Sequence, residues 1–122
     1  MIKPTSGTPK KGYLQMRQLL QQPDPPTGVV AISDKTAFGA LEAIREAGLR
    51  IPADVSVVGI DDVLESSHAL PPLTTVRAPK REFGQAAIEK LLRRIREPKA
   101  PPSKTLLDTE PVVRATTGRP RT

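Results

Sequence analysis

Cysteine and tryptophan are absent from this 122-residue chain, and its aromatic side chains are Tyr13, Phe38 and Phe83. Without thiols there is no disulfide framework and no cysteine-based metal or redox motif. His68 is the single histidine, which excludes a histidine metal cluster and leaves any Ser/His/Asp arrangement dependent on that one ring. No run approaches the roughly 18 apolar residues of a membrane span. The N-terminus also lacks the apolar core of a secretory signal, so the expected compartment is the cytoplasm and no membrane partner is expected. With so few aromatics, none beside a basic cluster, there is no stacking platform for single-stranded nucleic acid.

Proline and positive charge are plentiful instead: 14 prolines and a formal net charge of +6. Ten of those prolines lie outside residues 27–97, which marks the ends as loop or tail. Residues 1–28 carry four basic and one acidic side chain, residues 29–78 four and seven, and residues 79–122 eleven and five. The charge therefore flanks an acidic centre, and Arg93, Arg94 and Arg96 read as a solvated helix face rather than a phosphate patch.

Residues 1–11 are almost free of apolar side chains and read as a disordered leader, residues 12–117 as the regular part, and residues 118–122 as a polar tail. A short helix is expected from Gly12 to Gln22, stopped by Pro23-Asp24-Pro25-Pro26. Gly28 to Ile32 reads as a strand, Ser33-Asp34 as a helix cap and first-turn acid, and Lys35 to Ala47 as a helix closed by Gly48. Val55 to Ile60 reads as a strand buried on both faces, followed by Asp61-Asp62 and a loop through His68. Leu73 to Val76 is a third short strand. Pro79 stands where a first helical residue would, and Lys80 to Arg96 is the strongest helix, with Phe83, Ala87, Ile88, Leu91, Leu92 and Ile95 on one side. A last edge strand is expected around Val112-Val113. This order implies an α/β fold with a largely parallel sheet, but the strands and helices are too few to cover both sheet faces, and the long helix has more apolar surface than partners.

In open α/β sheets ligands bind beyond the carboxyl ends of the strands, which points to Ser33-Asp34, Asp61-Asp62 and Arg77 to Arg81. A carboxylate such as Asp61 can accept hydrogen bonds from two neighbouring hydroxyls or from ring nitrogens, orienting a polar ligand. The plainer reading is that Asp61 and Asp62 turn the chain. A Mg²⁺ site on the pair is a third, disfavoured because no phosphate loop accompanies it. Neither catalysis nor a cofactor is expected. Phe38 lies off the stripe Ala37, Leu41, Ile44 and marks either a core corner or an association surface.

Read together, Pro26-Thr27-Gly28-Val29-Val30-Ala31-Ile32-Ser33-Asp34, Phe38-Gly39-Ala40-Leu41, Asp54 to Asp62, Pro71-Pro72-Leu73-Thr74-Thr75-Val76 and Val112 to Thr117 resemble the C-terminal part of the effector domain of lac repressor family transcriptional regulators. The resemblance runs from about Gly12 to the end. It implies a partial periplasmic-binding-protein-like type I fold, in which a small effector, a sugar or a nucleobase-like molecule, sits between two lobes. It further implies that Asp61 grips the effector, that Ser33 stands where the family usually has an Asn, and that Lys80 and Phe83 line the cleft. Phe38, Leu41, Glu42, Arg45, His68, Ala69 and Leu70 match the family's homodimer surface. The long helix corresponds to one that packs on the other lobe, and operator DNA would be bound through a helix-turn-helix that is not in this sequence. A sugar-binding protein of a transport system and a truncated regulator that poisons intact ones are the alternatives.

Overall fold

The computed structural model describes residues 7–121. Thr8 opens the first helix, α1 (Pro9–Leu20), by accepting a hydrogen bond from the Lys11 amide, and Pro9 occupies a position where no amide is needed. Helix thus begins within the expected leader: Pro9, Lys10 and Lys11 are helical, because a Thr-Pro cap supplies the start signal that low hydrophobicity obscured. Residues 1–6 of that leader, and Thr122 of the tail, lie outside the described residues.

Strand β1 is Gly28–Val30, shorter than expected, and leads to α2 (Asp34–Glu46), with the Ser33 hydroxyl accepting from the Thr36 amide at 3.2 Å. Gly48 ends this segment with φ +73°, the left-handed value a helix terminus favours. Then follow β2 (Ser56–Ile60), α3 (Leu64–His68) and β3 (Thr74–Arg77). The segment through His68 is therefore a short helix rather than a loop; five residues are too few for periodicity to register. After α4 (Lys80–Arg96), whose bounds match the expectation, comes β4 (Glu110–Val112). Pro79 caps α4 from outside instead of forming its first turn, because ψ 75° is not helical.

The sheet order is β1-β2-β3-β4, with β1 parallel to β2 and β2 parallel to β3. Gly28 pairs with Ser56, and Val58 with Thr74. The chain divides into two compact units, one built from the residues up to Arg77 together with those from Pro111 onward, the other Ala78–Glu110.

In the first unit the core is Met16 of α1, Ala37, Ala40, Leu41, Ala43 and Ile44 of α2, Val57 of β2, and Ala31, Val55 and Leu73, each adjoining a strand end. Small residues let the helices touch backbone to backbone. A Cβ on Gly12 would stand 2.0 Å from the Thr36 carbonyl oxygen, and one on Gly39 would stand 1.8 Å from the Pro9 carbonyl oxygen. β2 alternates buried and half-buried residues instead of being buried on both faces, because these helices cover one side. Thr116 stitches the sheet: it accepts from the Thr74 amide at 2.9 Å and donates to the Val57 carbonyl at 2.6 Å. The threonine motifs are thus hydrogen-bonded to one another, and among the described residues no buried side-chain polar atom lacks a partner.

In the second unit, α4 buries none of its residues, and Phe83, Ile88, Leu91 and Ile95 are exposed. Lys90 donates to the Ser103 carbonyl, and Arg94 to the carbonyls of Pro98 and Ala100, so basic side chains near the helix C-terminus fasten the proline-rich segment that follows.

Candidate functional site

Ser33 and Asp61 follow the carboxyl ends of β1 and β2, adjacent parallel strands, so both belong to one edge of the sheet. Ser33 is engaged as the α2 cap, and its hydroxyl lies 3.1 Å from that of Thr36. Asp61 has φ 121° and Asp62 φ 51°, both in the left-handed half of backbone space, where Asp is among the few tolerated side chains. The Asp61 amide donates to the Val76 carbonyl at 2.9 Å, which ties the turn to β3.

The two carboxylates have different roles. Asp62 accepts from Arg114 at 2.6 Å and from Arg77 at 2.7 Å. These guanidiniums, Arg114 foremost, hold its carboxyl below the usual carboxylate range against the opposing effect of burial. Asp61, half-buried next to it, has no side-chain hydrogen bond or ion pair among the described residues. The Asp61-Asp62 pair therefore does not present two carboxylates to one cation: one is neutralised by arginine and the other is available.

Lys80 and Phe83 open α4 in the second unit, where Lys80 is exposed and Phe83 is 67% exposed. Both are accessible side chains on the first turn of that helix.

A separate groove of about 490 Å3 is lined by Phe38, Leu41 and Arg45 of α2, by Leu64, Glu65 and His68 of α3, and by Ala69 and Leu70. It brings together Phe38, Leu41, Arg45, His68, Ala69 and Leu70, which the family resemblance groups, but not Glu42, which is exposed elsewhere on α2. Leu64 and Glu65 were missed. Leu64, four residues before His68, would have stood out had α3 been recognised as a helix. Among the groove residues, the His68 ring nitrogen Nδ1 lies 3.2 Å from the Leu64 carbonyl, which fixes the ring at the end of α3.

The sequence marks Asp34 as a first-turn acid of α2 that also stands among the residues beyond a strand end. It is wholly buried and accepts hydrogen bonds from the Val63 amide and the hydroxyls of Ser66 and Thr75. Its place directly after a strand was the available signal, but its partners come from distant segments.

Residues 2–117 match the periplasmic binding protein-like domain family. The chain is 46% identical over 87 residues to the ribose operon repressor of Haemophilus influenzae, covering 71% of this chain and 26% of that protein. Among solved structures, it superposes on the lac repressor dimer bound to operator and the anti-inducer ONPF with a TM-score of 0.81 and 39% identity, over 90% of this chain and 38% of that one. It also superposes on a lac repressor family regulator from Enterococcus faecium with bound ribose, with a TM-score of 0.78 and 34% identity, over 93% of this chain and 42% of that one. The chain thus spans between a quarter and a third of the length of the curated relatives it matches. The mixed α/β fold, the mostly parallel sheet and the domain match agree: this chain belongs to the periplasmic binding protein-like domain family, as represented in lac repressor family transcriptional regulators.

Proposed function

We propose that this chain serves as the C-terminal part of the effector domain of a ligand-responsive transcriptional repressor in the cytoplasm, a regulator rather than an enzyme. The observation that carries this reading is the half-buried Asp61 carboxylate, without a side-chain partner among the described residues and held by a left-handed turn on the strand edge that also bears Ser33. Its acceptor geometry suits the hydroxyls of a sugar or the ring nitrogens of a nucleobase. Ser33 offers a second, shorter polar group on the same strand edge. The groove lined by Phe38, Leu41, Arg45, His68, Ala69 and Leu70, with Glu42 beside it on α2, is the self-association surface. Operator contact belongs to a helix-turn-helix that is not in this sequence, and effector binding changes operator affinity by favouring one arrangement of the effector domain.

Ribose bound to the Enterococcus faecium relative makes D-ribose the first probe. In an amide NMR titration of the chain, D-ribose is expected to shift Ser33 and Asp61, and Asp61→Ala to abolish the response. If D-ribose, common hexoses and purine bases all leave both amides unmoved, the effector reading is wrong.

A further inference from the structure

Three segments converge on one buried group. Asp34 is 0% exposed at the start of α2, directly after the capping Ser33. Its Oδ2 accepts from the Val63 amide at 3.0 Å and from the Ser66 hydroxyl at 2.6 Å, while Oδ1 accepts from the Thr75 hydroxyl at 2.5 Å. The Thr75 oxygen in turn lies 3.4 Å from the Asp62 amide, which points at it. Gly59 makes room for this arrangement, since a Cβ there would stand 2.2 Å from the Asp34 Oδ1.

These bonds have a direction. The Asp61-Asp62 turn occupies left-handed backbone that L-residues disfavour, so it persists only where its surroundings hold it. Asp34 holds it directly at Val63 and, through Thr75, at Asp62. Ser66 lies in α3, the helix that gives Leu64, Glu65 and His68 to the apolar groove. Both the turn that aims Asp61 and the helix that walls the groove are therefore hydrogen-bonded to the same carboxyl group, in a buried setting where an unmade bond is costly.

We infer that Asp34 is a positioning residue that locks the Asp61-Asp62 turn and α3 into one unit, so that displacement at the strand edge is passed to the groove and the reverse. Its consequence for ligand response rests on the effector reading above; the mechanical link does not.

The test uses the full chain and two amide or ring reporters. His68, the single histidine, supplies one ring resonance for the end of α3, and the Asp61 and Asp62 amides report the turn. Ser66→Ala, which removes a donor on the groove side, is expected to shift the Asp61 and Asp62 amides. Thr75→Val, which removes the hydroxyl on the strand side, is expected to shift the His68 ring. Ser67→Ala, a neighbour in α3 whose hydroxyl donates to the Leu64 carbonyl and not to Asp34, should leave Asp61 and Asp62 in place. Asp34→Asn keeps an acceptor for Val63 and Ser66 and lets the Thr75 hydroxyl turn round to accept, so it should disturb both reporters less than Asp34→Ala.

Shifts that stop on the side of each substitution overturn the proposal, as does a Ser67→Ala effect on the turn equal to that of Ser66→Ala. If Thr75→Val fails to fold, the contrast between Ser66→Ala and Ser67→Ala decides alone. D-ribose should shift the His68 ring together with Asp61, and Ser66→Ala should suppress the His68 response while Asp61 still responds. A ribose response confined to Asp61 overturns the link. Reciprocal shifts among the variants with no ribose response at Asp61 support the positioning role and overturn the effector reading instead.

Discussion

Helices α2 and α4 are both amphipathic by sequence, yet α2 buries eight of its 13 residues and α4, with 17, buries none. Half of the buried residues of α2 are alanine or glycine, and the helix lies against α1 closely enough that a Cβ added at Gly39 would collide with backbone. The corresponding face of α4 carries Phe83, Ile88, Leu91, Leu92 and Ile95, from 44% to 67% exposed. Side chains of that size stabilise by about 1.5–3 kcal/mol each when fully buried. Periodicity thus encodes a face, and a face contributes stability only where a complementary surface meets it.

Truncating the buried side of the comparison should have the largest effect. Ile44→Ala removes a 0%-exposed side chain from the centre of α2 and is expected to cost about 2–5 kcal/mol in urea unfolding. Gly39→Ala comes next, at about 1–3 kcal/mol by the same assay, because its new methyl group must displace the Pro9 carbonyl or push α1 away. On the exposed side, Ile88→Ala should change stability by no more than about 0.5 kcal/mol. A loss from Ile88→Ala as large as that from Ile44→Ala would break the contrast and show that the α4 face is covered in solution.

The smallest effect concerns charge on the surface of the first unit. Hydrogen bonds from the Arg50 side chain and amide lower the Asp54 carboxyl from its ordinary 3.8 to about 2. Since the folded value is the lower one, the stabilisation is present above about pH 4 and fades as pH falls through about 2. Arg50→Ala should move the Asp54 carboxyl resonance midpoint back toward 3.8 in an NMR titration, with only a slight change in neutral-pH stability.

Much of the fold was legible because its signals are local. The bounds of α4, the Ser33 cap, the Gly48 terminus and the positions of the four strands follow from residues within a turn or two of each feature. The short α3 and the start of α1 at Pro9 were not legible, the first because five residues carry no period and the second because a polar cap outweighed low hydrophobicity.

Within the site, sequence alone determined that a carboxylate would follow β2 and a hydroxyl would follow β1, whereas the grouping of Phe38 with Leu70 came only from the family resemblance. Tertiary structure decided which of the two neighbouring carboxylates is occupied. Asp62 is taken by Arg114, 52 residues away, and Asp61 is left available. It likewise turned Asp34 from a helix-capping acid into a buried junction by bringing up Ser66 and Thr75, 32 and 41 residues distant. Local conformation depends on neighbours in the chain, whereas the role of a polar side chain depends on which donors and acceptors folding places within reach of it.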